Sequence, residues 1–328
     1  MVKKNNFSKK TDNKKTDNKK TDNKKTDNKR TIVVVLICAI ISTSALLMGF
    51  ITVNPDIPEL SENTIDSSPT MTDYVKILHD SLTTPIVFSP TYFDFYLTND
   101  DYYRMTNDGL FPLDGVRLDF NDTIPETILT ALEPIAGSIV IYPIFTSAAY
   151  AQPGFYDYFG GNCDESCITD ISFEDPQFLY TSSGLTSQIL YNAGYDFLTD
   201  IEVDQNPELL QNYDTVILLH NEYVTKKMFD AISGHPNLIF LAPNALYAEI
   251  DVNYDTNTMT LIRGHNYPDI EIANGFDYAI EEQFHQYEYD DECLDWEFIE
   301  IENGFHLNCY PDGIIHNNLD ILIKMKDL

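Results

Sequence analysis

Two side chains in the stretch LLHNEYVT, His220 and Glu222, stand two residues apart at the end of the apolar run 215–220, TVILLH. If that run is a strand of a parallel sheet, the loop after its carboxyl end is where such sheets bind ligands. Side chains at i and i+2 there can face one crevice, either as an acid–base pair or as metal ligands. The structural alternative makes Asn221 or Thr225 a helix cap and Glu222 an ordinary acid near the next helix. A second stretch, GFYDYFGGN at 154–162, joins four aromatic side chains to a Gly-Gly pair that permits tight backbone turns. Folded over the edge of the sheet, it would present a phenol oxygen. Its structural alternative is a packing loop, since the chain holds 21 tyrosines.

Positioning these residues requires a sheet, and the sequence alternates short apolar runs with helical patterns. Strands are expected at 85–89, 138–145, 195–199, 215–220 and 237–242, and helices at 125–136, 185–193 and 224–233. A long polar and aromatic loop is expected over 146–180, and a helical turn at 207–210. Strands apolar on both faces and separated by helices argue for a parallel sheet covered on both sides. The last third reads instead as two hairpins, 250–254 with 259–263 and 296–301 with 305–310, closed by a helix at 318–326. The expected fold is α/β, a flavodoxin-like or doubly wound and mostly parallel sheet with an antiparallel C-terminal elaboration, preceded by one transmembrane helix.

Three passages, FYDYFGG, the run from GYDFLTD to HNEYVTKKMFD, and PNLIFLAPNALYAEI, together resemble the C-terminal domain of the large (beta) subunit of the N,N-dimethylformamidase family. The resemblance covers residues 139–265, and its most specific element is the His-x-Glu-Tyr junction. The family's Ala-Tyr-Asn reads Phe-Tyr-Asp here, which puts Tyr156 on the motif tyrosine; Asn244 and Tyr247 fall on its Asn-x-x-Tyr. The resemblance implies a core similar to class I glutamine amidotransferase domains and a single ferric ion, Fe(III), held by two tyrosinates and one glutamate. Carried over, Glu222 is the carboxylate ligand, Tyr156 one phenolate and His220 the neighbouring acid–base group. Tyr180 is the candidate second phenolate, with Tyr158 behind it. The family's further glutamate has no counterpart, and Glu297 beside Trp296 is taken as a candidate. The implied chemistry is hydrolysis of the C–N bond of small amides, the metal polarising the carbonyl and acidifying water. The alternative is a non-catalytic cell-surface binding protein that keeps the scaffold. A glutaminase of the amidotransferase type is disfavoured, because no cysteine sits at a strand-to-helix elbow.

Charge sets the surroundings of this domain. Residues 1–30 hold twelve of the chain's 20 basic side chains and four of its 52 acidic ones, so the tail carries +8 and the rest −40. A surface so acidic repels phosphates and argues against nucleic-acid binding. The tail contains KKTDN four times from 9 to 28, with no apolar residue to bury, and is expected to be disordered. Residues 31–53 carry no charge and are long enough to span a bilayer. Basic residues precede this span and none follows until Lys76, so the N-terminus is expected in the cytoplasm and the rest outside the cell membrane. A cleaved signal peptide is the rival reading. A stalk at 54–72 would then lead into an extracytoplasmic domain at 73–328. Beyond Cys38, the cysteines form two locally spaced pairs, Cys163 with Cys167 and Cys293 with Cys309, expected as disulfides. The second pair is expected as a bridge across its hairpin. A metal site is the alternative, though the spacing is not that of zinc ligands. Asn121-Asp122-Thr123 is a glycosylation sequon.

Overall fold

Residues 138–142 read SIVIY, 215–218 TVIL and 238–240 LIF, and every one of these side chains is buried. Strands apolar on both faces need cover on both faces, and these three form the middle of a six-stranded sheet. The computed structural model describes residues 84–86, 92–97, 103–106, 109–112, 117–173, 180–276 and 293–328. All of them fall in one compact unit, residues 65–328. The expected tail, the span at 31–53 and the stalk lie outside the described residues. Among those described, no helix is long and apolar enough to cross a membrane.

In chain order the strands are β1 (Thr84–Ile86), β2 (Phe93–Leu97), β3 (Tyr103–Thr106), β4 (Gly109–Pro112), β5 (Arg117–Phe120), β6 (Ser138–Tyr142), β7 (Ile171–Ser172), β8 (Phe197–Thr199), β9 (Thr215–Leu218), β10 (Tyr223–Thr225), β11 (Leu238–Phe240), β12 (Ala248–Asn253), β13 (Thr258–Arg263), β14 (Phe298–Ile301) and β15 (Gly304–Leu307). The helices are α1 (Glu126–Leu132), α2 (Ile144–Tyr150), α3 (Phe155–Phe159), α4 (Gly184–Asn192), α5 (Asp200–Gln205), α6 (Lys226–Ser233) and α7 (Asp320–Met325). The main sheet runs β14-β15-β11-β9-β6-β8, parallel throughout except for β14. A second sheet, β10-β12-β13-β7, is parallel at its first pair and antiparallel beyond it. β1, β2 and β5 form an antiparallel sheet, and β3 pairs with β4. The fold is therefore mixed α/β with parallel and antiparallel sheets.

Several expected elements are displaced, each for a physical reason. The run 138–145 splits at Pro143: the strand ends at Tyr142 and α2 begins at Ile144. Residues 144–149 are all buried, so this helix has no polar face to reveal a 3.6-residue period. The expected loop at 146–180 contains α2, α3, a 3-10 turn at Glu165–Ile168 and β7. The helix expected from 224 starts at Lys226, because residues 223–225 pair with β12 as β10. Thr225 caps α6, its Oγ1 accepting from Met228 N at 3.1 Å.

Both C-terminal hairpins form, but they belong to different sheets. The β14–β15 hairpin joins the main sheet through β15, which lies parallel to β11. Gly304 makes that approach feasible: a Cβ there would stand 1.9 Å from the carbonyl oxygen of Leu238. Cys293–Cys309 closes the base of this hairpin from outside its strands rather than across them, and Cys163–Cys167 clips the turn after α3.

Because the clash at Gly304 would be with backbone, Gly304→Ala should cost about 3 kcal/mol or more of unfolding free energy. Urea unfolding with an unchanged midpoint would contradict this account of the β11–β15 contact. Burial depresses the His316 imidazole to about 4. A folded-state pKa below the ordinary ~6.5 gives stability that is present above pH 6.5 and lost as pH falls towards 4. The stability of His316→Gln relative to the parent should therefore move in the variant's favour over that interval, as measured by thermal unfolding at stepped pH.

Candidate functional site

The loop after β9 is held by side chains from two helices. Thr146 Oγ1, in the first turn of α2, accepts from Glu222 N at 3.0 Å and Tyr223 N at 3.3 Å. Ser183 Oγ, directly before α4, accepts from His220 N at 3.0 Å. Those two helices are themselves pinned by buried carboxylates. Asp200 Oδ2 accepts from Phe145 N at 2.8 Å, and Asp312 accepts from Leu185 N, Thr186 N and Thr186 Oγ1 at 3.2, 2.7 and 2.8 Å. Burial pushes the carboxyl of Asp200 well above the ordinary range and that of Asp312 up to about 6, against the lowering effect of these donors.

Glu222 is fully buried, so its carboxylate must find its partners inside the protein. Oε2 accepts from Tyr150 Oη at 2.9 Å and lies 3.1 Å from His220 Nε2. Oε1 accepts from Tyr156 Oη at 3.2 Å and lies 2.6 Å from His265 Nε2. The two phenol oxygens are 2.6 Å apart, and their rings stack with centroids separated by 4.0 Å. Burial works against the charge of Glu222. The imidazoles of His265 and His220 outweigh it and hold the carboxyl well below the ordinary carboxylate range. Burial, and next the charge on Glu222, push the phenols of Tyr150, Tyr156 and Tyr223 well above 10.

His220 is oriented from its far side. Nδ1 lies against the carbonyl of Thr181 and 2.8 Å from Tyr310 Oη. A carbonyl only accepts, which assigns the Nδ1 proton and leaves Nε2 as the nitrogen facing Glu222.

Of the residues expected from the sequence, Tyr156, His220 and Glu222 meet in this one cluster. Glu222 is not a helix-end acid, since α6 starts four residues later. Tyr180 opens the turn Tyr180–Ser182, whose Thr181 reaches His220; the role expected of its phenol falls outside the described residues. The phenol beside Tyr156 belongs instead to Tyr150. Tyr158 packs edge-on against Phe159 and Tyr267. Glu297 is exposed, with its N–H donating to Asn308 Oδ1. Tyr247 packs against His265 with centroids 4.7 Å apart and the rings tilted by 44°.

Three members of the cluster were not anticipated from the sequence. Tyr150 carried a signal, because Ala149-Tyr150 preserves an Ala-Tyr pair six residues before Tyr156. His265 and Tyr310 carried none that local spacing could show. Among the described residues, no group of three or more His, Cys, Asp and Glu side chains is arranged to hold a metal, so a cation here depends on the phenols. The oxygens fit one. Separations of 2.6, 2.9 and 3.2 Å among Tyr150, Tyr156 and Glu222 bracket the ~2.9 Å between neighbouring oxygens around a small hard cation.

A mixed α/β domain with a buried, tyrosine-flanked carboxylate after a central strand is thus the class of protein at hand. The profile of the N,N-dimethylformamidase beta subunit-like, C-terminal family matches residues 118–282, half of the chain, and the chain belongs to that family. Comparison with curated proteins finds no match.

Since the cluster lowers the Glu222 pKa, Glu222→Gln should cost about 2 kcal/mol of stability at neutral pH, the scale of hydrogen bonds to a charged group. The deficit should shrink as pH falls below the unfolded-state value of about 4.3, because the unfolded parent then takes up a proton that the folded parent, with its lower pKa, does not. A deficit independent of pH would show that the carboxylate is not ionised in the fold.

Proposed function

We propose that this domain is a metal-dependent amidohydrolase of the dimethylformamidase type, using Tyr150, Tyr156 and Glu222 to hold a ferric ion. The observation that carries this reading is the convergence of two phenol oxygens on the fully buried carboxylate. Phenolate and carboxylate are hard anionic oxygen donors, which suit Fe(III). The position supports the reading too. Numbered from β6, the parallel strands run in the order 2-1-3-4-5, with β6 and β9 adjacent, as in flavodoxin-like doubly wound sheets. The segments leaving those two strands diverge at the switch point where such sheets bind ligands. Tyr150 follows β6, and His220 and Glu222 follow β9.

A ferric ion bound there supplies a Lewis acid that polarises an amide carbonyl and acidifies water. The protein moves the protons. His220, its Nδ1–H held by Thr181 and Tyr310, presents Nε2 to take the proton of the attacking water. The water oxygen bonds to the carbonyl carbon, the C–N bond breaks, and the proton passes to the departing nitrogen, giving an acid and an amine. Tyr156 is exposed, and the side chain of His265 is partly so, so a small amide enters from their side.

The same reading places the domain outside the cell, tethered through residues 31–53 with the basic tail in the cytoplasm. Its two disulfides suit an oxidising compartment.

The test is metal analysis and a visible spectrum of the full-length protein, followed by hydrolysis of small N-alkyl amides. Near-stoichiometric iron, a tyrosinate-to-iron charge-transfer band, and loss of both in Glu222→Ala are expected. His220→Ala should keep the iron and lose about 100-fold or more in kcat/KM. A colourless, iron-free protein would overturn the proposal and favour a surface binding module.

A further inference from the structure

The polar groups around Glu222 fall into two matched halves. Tyr150 and His220 serve Oε2 from the interior, and Tyr156 and His265 serve Oε1 from the side that reaches solvent. The outer imidazole is delivered by backbone of a kind side chains rarely adopt. His265 and Asn266 are left-handed, with φ of 53° and 63°, directly after Gly264 at 125°. Non-glycine residues in this region are uncommon and persist where their surroundings fix them. They do so here. Gly264 and Tyr267 exchange N–H···O bonds of 3.0 Å, His265 N donates to Ala273 O at 2.9 Å, and Asn266 N donates to Ile272 O at 2.8 Å. A side chain at Gly264 would strike Ala248, 2.8 Å from the Cβ. The ring is then set between Tyr247, Tyr223 and Phe159, at centroid distances of 4.7, 5.6 and 5.3 Å.

Glu222 has an imidazole nitrogen close to each of its oxygens, His220 Nε2 at 3.1 Å from Oε2 and His265 Nε2 at 2.6 Å from Oε1. What the strained loop adds is a nitrogen 2.6 Å from Oε1, a separation like those among the three oxygens, on the side of the carboxylate where Tyr156 also lies. We propose that His265 is a fourth ligand of the cation site, giving Tyr150, Tyr156, Glu222 and His265 as a three-oxygen, one-nitrogen set closed from the open side. This rests on the ferric reading above and adds to it a donor from the β13 loop. His220, tied through Nδ1 to Thr181 and Tyr310, stays outside the set as the acid–base group.

Chelator competition and visible spectra on the iron-loaded full-length protein, His265→Ala and His265→Gln test this. Both variants should bind iron at least tenfold more weakly and show a displaced charge-transfer band, the scale expected when a metal's immediate surroundings are disturbed. Imidazole added to His265→Ala should restore the parent band, a rescue that a purely structural role would not give. His220→Ala, the comparator, should keep the parent band. Parent-like iron affinity and band in both His265 variants would overturn the assignment and leave the three-oxygen site standing. A parent that takes up no iron would overturn both.

Discussion

A carboxylate with no solvent contact imposes the organisation seen around it. Leaving an ionised group unpaired in an apolar interior costs several kcal/mol, and its partners must come with good geometry to offset that loss. Glu222 meets the demand with donors from separate parts of the chain: the end of α2, the first turn of α3, its own loop and the turn after β13. These groups come from three regions of the sequence, 150–156, 220–222 and 265, so the charge acts as a meeting point for them. Two phenol hydrogen bonds and two close imidazole nitrogens on two oxygens also orient each ring, because each of these side chains turns one polar atom to the same carboxyl group.

Precision of that kind requires fixed backbone beneath it, and the fold supplies it through further buried polar groups. Asp200 binds the start of α2, whose Thr146 in turn binds the amides of Glu222 and Tyr223. Asp312 binds the start of α4, and Ser183 before that helix binds the amide of His220. On the other side of the loop, the Glu222 carbonyl accepts from Tyr247 N and Ala248 N, both at 2.9 Å. The segment that carries His220 and Glu222 is thus tied to helices on one side and to the second sheet on the other. Tyr310 links it also to the end of the β14–β15 hairpin, beyond the region matched by the family profile.

The sequence carried the parallel strands because their side chains are apolar on both faces, a pattern that short-range reading can detect. It carried His220 and Glu222 because their spacing falls at the end of such a strand. α2 escapes such a reading, its first two residues looking like the tail of a strand and the rest like loop, because a helix buried on all sides shows no helical period over a few residues. His265 depends on the register of β13 and on three successive positive φ angles, neither of which local composition encodes. The place of the second hairpin in the main sheet depends on the absence of one Cβ at Gly304, a steric fact that appears only when β11 is beside it.

Taken with the proposed ferric site, the electrostatics give the cluster two self-consistent arrangements. Without a cation, the phenols of Tyr150 and Tyr156 are held neutral by burial and by the charge on Glu222, and serve as donors to it. A trivalent ion among the same oxygens would reverse the field that each phenol experiences, favouring phenolate where phenol is favoured now. The atoms need not be rebuilt for this, since their separations already match those of neighbouring ligands. Hydrogen bonds thus hold these groups at their separations, and in the proposed site the protons in those bonds are the ones that a ferric ion would displace.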